Sequence, residues 1–204
     1  MTSTATEESG PSPANGLRLA LKRSASALKA DAVPFALAGS YALWVHGAPE
    51  STHVVDMVVA EDSVEPAVRS LANDGFEIER PPEDWLFKAH LGGAMVDVLH
   101  RLNGIPVDAG FVDRAEMREV LGLRIPVLQP TDVISTKLQA LTERYCDFGE
   151  LLPPGRAVRE QLDWARLRTE AVDNPFAATF LDLVERLGIR REDSSREPIL
   201  DQEP

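Results

Sequence analysis

The chain has 204 residues, of which 44% are hydrophobic and 26% charged, and its formal net charge is −12. This length and hydrophobic content predict one domain with a proper core, and no apolar run approaches the ~20 residues that a membrane-spanning helix needs. The acidic balance and the lack of any Lys/Arg-rich run weigh against a general nucleic-acid binder, so we expect no membrane contact and no long nucleic acid as a partner.

The two ends of the chain differ in composition from the body. Residues 1–16 contain neither the charged region nor the apolar region of a signal peptide. They predict a disordered N-terminal tail, and residues 190–204 predict a disordered acidic tail. The single cysteine, Cys146, has no partner for an internal disulfide, which favours a cytoplasmic protein. We expect its thiol to be buried.

Helical and strand-like patterns alternate through the first part of the chain. Residues 17–30 place apolar side chains at helical spacing, and "VPFALAG" (33–39) predicts a buried strand that ends at a glycine. Ser40 suits the N-cap of a short helix that ends at Gly47. The later patterns predict strands at 53–59, 76–80, 85–91 and 94–100 and a helix at 63–75.

The second part of the chain is mainly helical. Its predicted elements are a hairpin near 118–130 and helices at 131–145, 156–171 and 176–187. We therefore predict an α/β (α+β) fold with a mixed-sheet core over residues 17–128 and a helical C-terminal segment over residues 129–189.

Two aspartates stand isolated in apolar strands. Asp56 lies within "HVVDMVV" and Asp97 within "AMVDVLH". A buried carboxylate is costly unless it is paired or binds a cation, and Mg²⁺ takes one or two carboxylates together with substrate phosphates. Either the two aspartates meet on one sheet face as a Mg²⁺ site, or each lies at a strand end in solvent.

The stretch "GSYALWVHGAPESTHVVDMVV" (39–59) resembles the signature of the nucleotidyltransferase superfamily, the polymerase-β-like fold. The matching residues are Gly39 and Ser40 in a turn that opens a short helix, Asp56 as the second acid of an Asp-x-Asp pair, and Asp97 as a third acid on a later strand. Val54 occupies the position of the first acid. The resemblance covers roughly residues 33–148 and is to bacterial stand-alone members, including the AbiEii-type toxins of type IV toxin–antitoxin systems.

The resemblance implies Mg²⁺-dependent transfer of a nucleoside monophosphate from an NTP to an acceptor, with release of pyrophosphate. Gly39 and Ser40 would cradle the nucleotide phosphates, and Asp56 and Asp97 would bind Mg²⁺ and act in catalysis. Lys137 matches a lysine that reaches the nucleotide from a later helix. The acceptor stays open between an RNA end, a protein hydroxyl and a small molecule, and an antitoxin protein is a candidate partner.

Two cations lie beside the apolar stripe of the predicted helix 131–145. Lys137 and Arg144, seven residues apart, fall on nearly the same line of that helix. Their side chains either reach a triphosphate or cover apolar surface while the charges stay in water. The first reading makes both of them nucleotide-binding residues.

Val54 raises a second hypothesis about activity. Its presence removes a charge and a metal ligand, and even changes around metal ligands commonly cost ~10–100-fold in affinity or activity. The chain is then either an impaired nucleotidyltransferase or an inactive relative that binds a nucleotide or a protein partner. His53 and Asp62 are the nearby residues that could replace the missing ligand, but His53 points to the face opposite Asp56 on an ideal strand and Asp62 lies past the predicted end of the strand.

Overall fold

A computed structural model describes residues 13–190 of the chain. The strands are β1 (Phe35–Ala38), β2 (Val55–Val59), β3 (Glu77–Glu79), β4 (Leu86–Leu91), β5 (Ala94–Leu99), β6 (Arg101–Leu102), β7 (Ile105–Pro106), β8 (Glu116–Val120) and β9 (Leu123–Val127). The α-helices are α1 (Pro13–Ala30), α2 (Gly39–Val45), α3 (Val64–Asn73), α4 (Ala109–Val112), α5 (Pro130–Gln139), α6 (Phe148–Ala157), α7 (Trp164–Glu170) and α8 (Pro175–Arg186).

Seven strands form one mixed sheet in the order β3-β4-β5-β2-β1-β9-β8. The pairs β2–β5 and β1–β9 are parallel, and every other neighbouring pair is antiparallel. Strands β6 and β7 form a separate small ribbon. The mixed α/β fold, with helices α5 to α8 in the C-terminal segment, confirms the predicted fold class.

The two faces of the central strands are covered by different helices. Val55 and Met57 of β2 are fully buried on one face, together with Val96 and Val98 of β5. Helices α1 and α3 cover this face, where α1 packs on β5. On the opposite face, Asp56 and other residues of β2 line a cavity with residues of α5, and α2 packs against β1 and β2. Of the two central strands, this second face holds the charged residues Asp56 and Asp97.

The first helix begins earlier than the sequence predicts. Helix α1 starts at Pro13, so residues 13–16 of the predicted disordered tail are helical. Gly16 lies close to the sheet, where a Cβ on it would meet Ala94 Cβ at 3.7 Å. The predictions for residues 1–12 and 191–204 lie outside the described residues. None of the described helices is both long and apolar enough to cross a membrane.

The C-terminal helices differ in extent from their predicted boundaries. Helix α6 was not predicted, because it runs through Pro153 and Pro154, residues that ordinarily interrupt helices. The helix predicted at 156–171 is divided, since Leu162 is extended and the Asp163 side chain caps α7 by accepting from the backbone N–H of Arg166. Helix α8 agrees with its prediction.

Candidate active site

The two isolated aspartates lie side by side in the middle of the sheet. Strands β2 and β5 pair in parallel with Asp56 opposite Asp97. Because side chains alternate along a strand, and the flanking Val55 and Val96 are buried on the other face, both carboxylates lie on the face that meets α2 and α5. The structure therefore brings together the two residues that the sequence singled out.

The turn at Gly39 and Ser40 packs directly against Asp56. Gly39 follows β1, which pairs with β2 so that Ala38 lies opposite Asp56. Its φ is +57°, and a Cβ on Gly39 would lie only 1.9 Å from Asp56 Oδ2. The Ser40 backbone lies close enough to the Asp56 carboxylate to lower its pKa. Only glycine permits this close approach, and the turn holds the carboxylate in place.

Burial raises the pKa of Asp56 to about 6 from its ordinary value of 3.8. The positive charge of Lys137 opposes this rise, the negative charge of Asp97 adds to it, and the nearby Ser40 backbone opposes it. A shifted carboxyl beside a second carboxyl and a lysine is typical of functional sites.

The second carboxylate, on Asp97, has a free oxygen. Burial raises its pKa, while the nearby charges of Lys88 and His90 lower it. Its Oδ1 atom is buried and has no hydrogen-bond partner within the described residues. Buried polar atoms are nearly always satisfied, so this oxygen is well suited to a bound ligand.

Lys88 is a site residue that sequence reasoning missed. It lies on β4 directly opposite Asp97, and its charge lowers the pKa of that carboxyl. The available signal was a lysine inside the apolar run "WLFKAHL". The sequence does not give the register between β4 and β5, so the pairing could not be predicted.

The donor set fits one divalent cation that shares its remaining ligands with substrate. Asp56 and Asp97 offer adjacent carboxylates, and Mg²⁺ is commonly held by one or two carboxylates plus phosphate oxygens and water. Between residues 13 and 190 there is no group of three or more His, Cys, Asp or Glu side chains that could hold a metal ion. His53 and Asp62 therefore do not replace the acid missing at Val54, which precedes β2.

A pocket of about 630 Å³ shares Lys137 with the cavity that Asp56 lines. Ser40, Lys137 and Arg144 all line it. Lys137 also lines a smaller cavity of about 130 Å³ together with Gly39 and Asp56. Lys137 thus lies between Asp56 and the larger pocket. Of the site residues predicted from the sequence, all except Asp97 line one of these two cavities.

The position of Arg144 corrects the predicted helix. Helix α5 ends at Gln139, so Arg144 lies on the following loop and not in line with Lys137 on a helix. At this end the two N–H groups of Asn174 Nδ2 are shared among the carbonyl oxygens of Leu138, Gln139 and Leu141, which lie 3.0 to 3.4 Å away. These acceptors would otherwise bond to the next turn of helix.

The same loop carries two further differences from expectation. Cys146, expected to be buried, is exposed and lines the pocket. Asp147 also lines the pocket, and its side chain accepts from the backbone N–H of Gly149 to cap α6. The loop therefore forms one wall of the pocket, a placement that the predicted longer helix did not allow.

Comparison with known proteins gives matches to solved structures. No family model and no curated protein matches the chain. The crystal structure of ANT(2")-Ia in complex with adenylyl-2"-tobramycin matches with a TM-score of 0.53 at 12% identity, over 81% of this chain and 97% of the other. An antigenic nucleotidyltransferase-like protein from Paracoccidioides brasiliensis matches with a TM-score of 0.51 at 14% identity, over 84% and 88%. The lincomycin-bound lincosamide adenylyltransferase LnuA matches with a TM-score of 0.49 at 11% identity, over 76% and 99%.

These matches bear on the fold. The two structures with TM-scores above 0.5 show that the chain has the nucleotidyltransferase fold, as its sequence predicts. At 12% and 14% identity, these similarities show the fold and assign no role to individual site residues. The resemblance to the AbiEii-type branch stays a prediction from the sequence.

Proposed function

We propose that the chain is a cytoplasmic nucleotidyltransferase that transfers a nucleoside monophosphate from a Mg²⁺-bound NTP to an acceptor hydroxyl. The observation that carries this proposal is the pairing of Asp56 with Asp97 on one sheet face. Lys137 lies beside Asp56 and at the edge of the 630 Å³ pocket. A carboxylate pair next to a cation-lined pocket suits a metal–triphosphate ligand.

Each predicted residue has a role in this proposal. Asp56 and Asp97 would hold Mg²⁺, which when bound neutralises charge on the triphosphate and the leaving pyrophosphate. Lys137 and Arg144 contribute positive charge to the pocket that receives the phosphates. Gly39 and Ser40 keep the Asp56 carboxylate in position.

The reaction requires one proton acceptor. The acceptor oxygen attacks the α-phosphorus, the bond from this phosphorus to the bridging oxygen breaks, and pyrophosphate leaves. The hydroxyl proton passes to Asp97, whose buried Oδ1 atom has no hydrogen-bond partner within the described residues and can accept it.

A small molecule is the acceptor class that we favour. ANT(2")-Ia, whose structure contains adenylyl-2"-tobramycin, is covered over 97% of its length by this chain. The net charge of −12 disfavours a long RNA, because contacts from Lys and Arg to phosphates supply most of the affinity for nucleic acid. An RNA end and a protein hydroxyl are the other outcomes of an acceptor screen.

The alternative is a protein that binds nucleotide without transferring it. Val54 favours this alternative, because the described residues contain only a two-carboxylate set where the resemblance implies three acids. A second alternative is that the protein is the toxin of a toxin–antitoxin pair. A small antitoxin-like reading frame beside the gene would support this alternative.

Calorimetric titration with each NTP, with and without Mg²⁺, tests the proposal. We expect binding that requires Mg²⁺ and weakens about 10-fold or more in Asp56→Asn. Asp31→Asn, which removes an exposed carboxylate after α1, is the matched control and should bind as the wild type does. Equal binding by wild type and Asp56→Asn would contradict the metal role, and no binding of any NTP would refute the nucleotide proposal.

Restoring the missing acid separates the active and inactive forms of the proposal. In Val54→Asp, we expect Mg²⁺-dependent pyrophosphate release in the presence of acceptor to rise above the wild-type rate. A folded Val54→Asp protein with tight Mg²⁺–NTP binding and no turnover would favour the non-catalytic alternative.

A further inference from the structure

The large pocket has room for a nucleoside as well as for phosphates. Its volume of about 630 Å³ falls within the ~300–1,000 Å³ of pockets that bury whole organic ligands. Lys137 and Ser40 line this pocket. Along the loop that follows α5, the pocket wall also includes Tyr145, which the proposed chemistry does not use.

Tyr145 is exposed in a way that packing does not explain. Its side chain is 75% exposed, whereas the other tyrosine, Tyr41, is fully buried. Tyr41 packs edge-on against Trp44, as a core aromatic does. Tyr145 instead lines the pocket, beside Arg144 and Cys146.

The backbone beneath Tyr145 is well fixed. Thr142 and Tyr145 exchange two backbone hydrogen bonds of 3.1 Å each, which close a tight turn. On one side of this turn the Leu141 carbonyl accepts from Asn174. On the other side Asp147 caps α6. An aromatic ring on such a base loses little conformational entropy when it binds a flat ligand.

We infer that the Tyr145 ring stacks on the nucleobase of the NTP bound in this pocket. This inference rests on the proposed function, since it requires a nucleotide in this pocket. The phosphates lie toward Lys137 and the base lies against Tyr145. Stacking tolerates every base because each has a π-face, so Tyr145 is a nucleotide-binding residue that holds the nucleoside without selecting one base.

Calorimetry with two ligands tests the role of the ring. Mg²⁺–ATP carries a base, and Mg²⁺–tripolyphosphate carries the same phosphate chain without one. We expect Tyr145→Ala to weaken ATP binding about tenfold or more, in line with the loss of one base–aromatic stack, and to leave tripolyphosphate binding unchanged. Tyr145→Phe keeps the ring and should bind ATP within about twofold of the wild type. GTP, CTP and UTP should follow the pattern of ATP.

The outcomes separate this inference from the function on which it rests. If Tyr145→Ala binds ATP as tightly as the wild type does, the stacking role is wrong and the nucleotide proposal stands. If it weakens ATP and tripolyphosphate equally, Tyr145 supports the pocket and not the base, which also overturns the inference. If the wild type binds neither ligand, the proposed function and the inference both fail.

Discussion

The Asp56 carboxyl is held in an environment that favours its neutral form. Its pKa is about 6 in the folded protein against an ordinary 3.8. Between these values Asp56 binds more protons in the folded protein than in the unfolded chain, so its contribution to the free energy of unfolding falls as pH rises from about 4 to about 6 and then levels off. A buried carboxyl that lowers the free energy of unfolding at neutral pH is typical of a functional site.

Asp56→Asn should therefore stabilise the metal-free protein. Near pH 8 we expect its free energy of unfolding to exceed that of the wild type by about 3 kcal/mol, the equivalent of the pKa shift, and near pH 3 the difference should vanish. Urea unfolding in EDTA across this range measures it. A difference that does not change with pH would contradict the role of Asp56 ionisation.

Gly39→Ala should remove function through Asp56. Alanine at φ +57° is strained, and its Cβ would meet Asp56 Oδ2 at 1.9 Å, so the carboxylate must move. Gly92→Ala is the matched control, because Gly92 has φ +55° and nothing within 4 Å of its added Cβ. We expect a loss of stability of about 1 kcal/mol for the control and about 3 kcal/mol for Gly39→Ala, and loss of Mg²⁺-dependent ATP binding for Gly39→Ala alone. Similar results in calorimetry and urea unfolding for both variants would show that backbone strain, and not the carboxylate, is responsible.

At the residue scale, the sequence predicted the carboxylate pair but not its surroundings. Alternation along two apolar strands placed Asp56 and Asp97 on faces that could meet. The opposition of Lys88 to Asp97 depends on the strand register, and the contact of Gly39 with Asp56 depends on how β1 and β2 pair. Both are long-range properties that no local pattern encodes.

At the scale of elements, the end of α5 determines the pocket wall. Apolar periodicity predicted a helix to about Tyr145, because Leu141 and Tyr145 continue the apolar stripe. The helix ends at Gln139, where Asn174, 35 residues along the chain, satisfies its last carbonyl groups. A cap supplied from so far away has no local signal, and it releases the loop that carries Tyr145.

Asn174→Ala should destabilise two helices together. The side-chain NH₂ is shared among the carbonyl groups of Leu138 and Gln139 at the end of α5 and of Leu141 just beyond it. The side-chain oxygen accepts from the backbone N–H groups of Phe176 and Ala177 at the start of α8. We expect a loss of about 2–3 kcal/mol in the free energy of unfolding by urea. Asp163→Ala removes a cap of the ordinary kind, with one hydrogen bond to Arg166 N–H, and should cost about 1 kcal/mol. Equal costs would mean that the α5 carbonyl contacts contribute nothing.

At the scale of the whole molecule, the site depends on the junction between sheet and helical segment. Asp56 and Asp97 come from the sheet, whereas Lys137 comes from α5. Asp132, also on α5, is only 4% exposed and pairs with Arg166 of α7 at 2.8 Å and with Arg114, which follows α4, at 3.5 Å. One buried carboxylate thus links the core to the C-terminal helices. The net charge of −12 alone would not suggest that a single acidic side chain has this role.

Asp132→Ala should accordingly be far more damaging than the loss of a surface ion pair. Removing the carboxylate takes the shared anion from Arg114 and Arg166, whose side chains are 47% and 33% exposed. The lost charge-assisted hydrogen bond should cost about 1.5–3 kcal/mol. Asp182→Ala breaks the pair with Arg168 at 3.4 Å, where Asp182 is 62% exposed, and should cost less than about 1 kcal/mol. Urea unfolding at about 0.1 M and about 1 M salt separates the two, because screening acts on the exposed pair and much less on the buried one. A cost for Asp132→Ala that falls to the level of Asp182→Ala in high salt would show that the junction does not depend on this carboxylate.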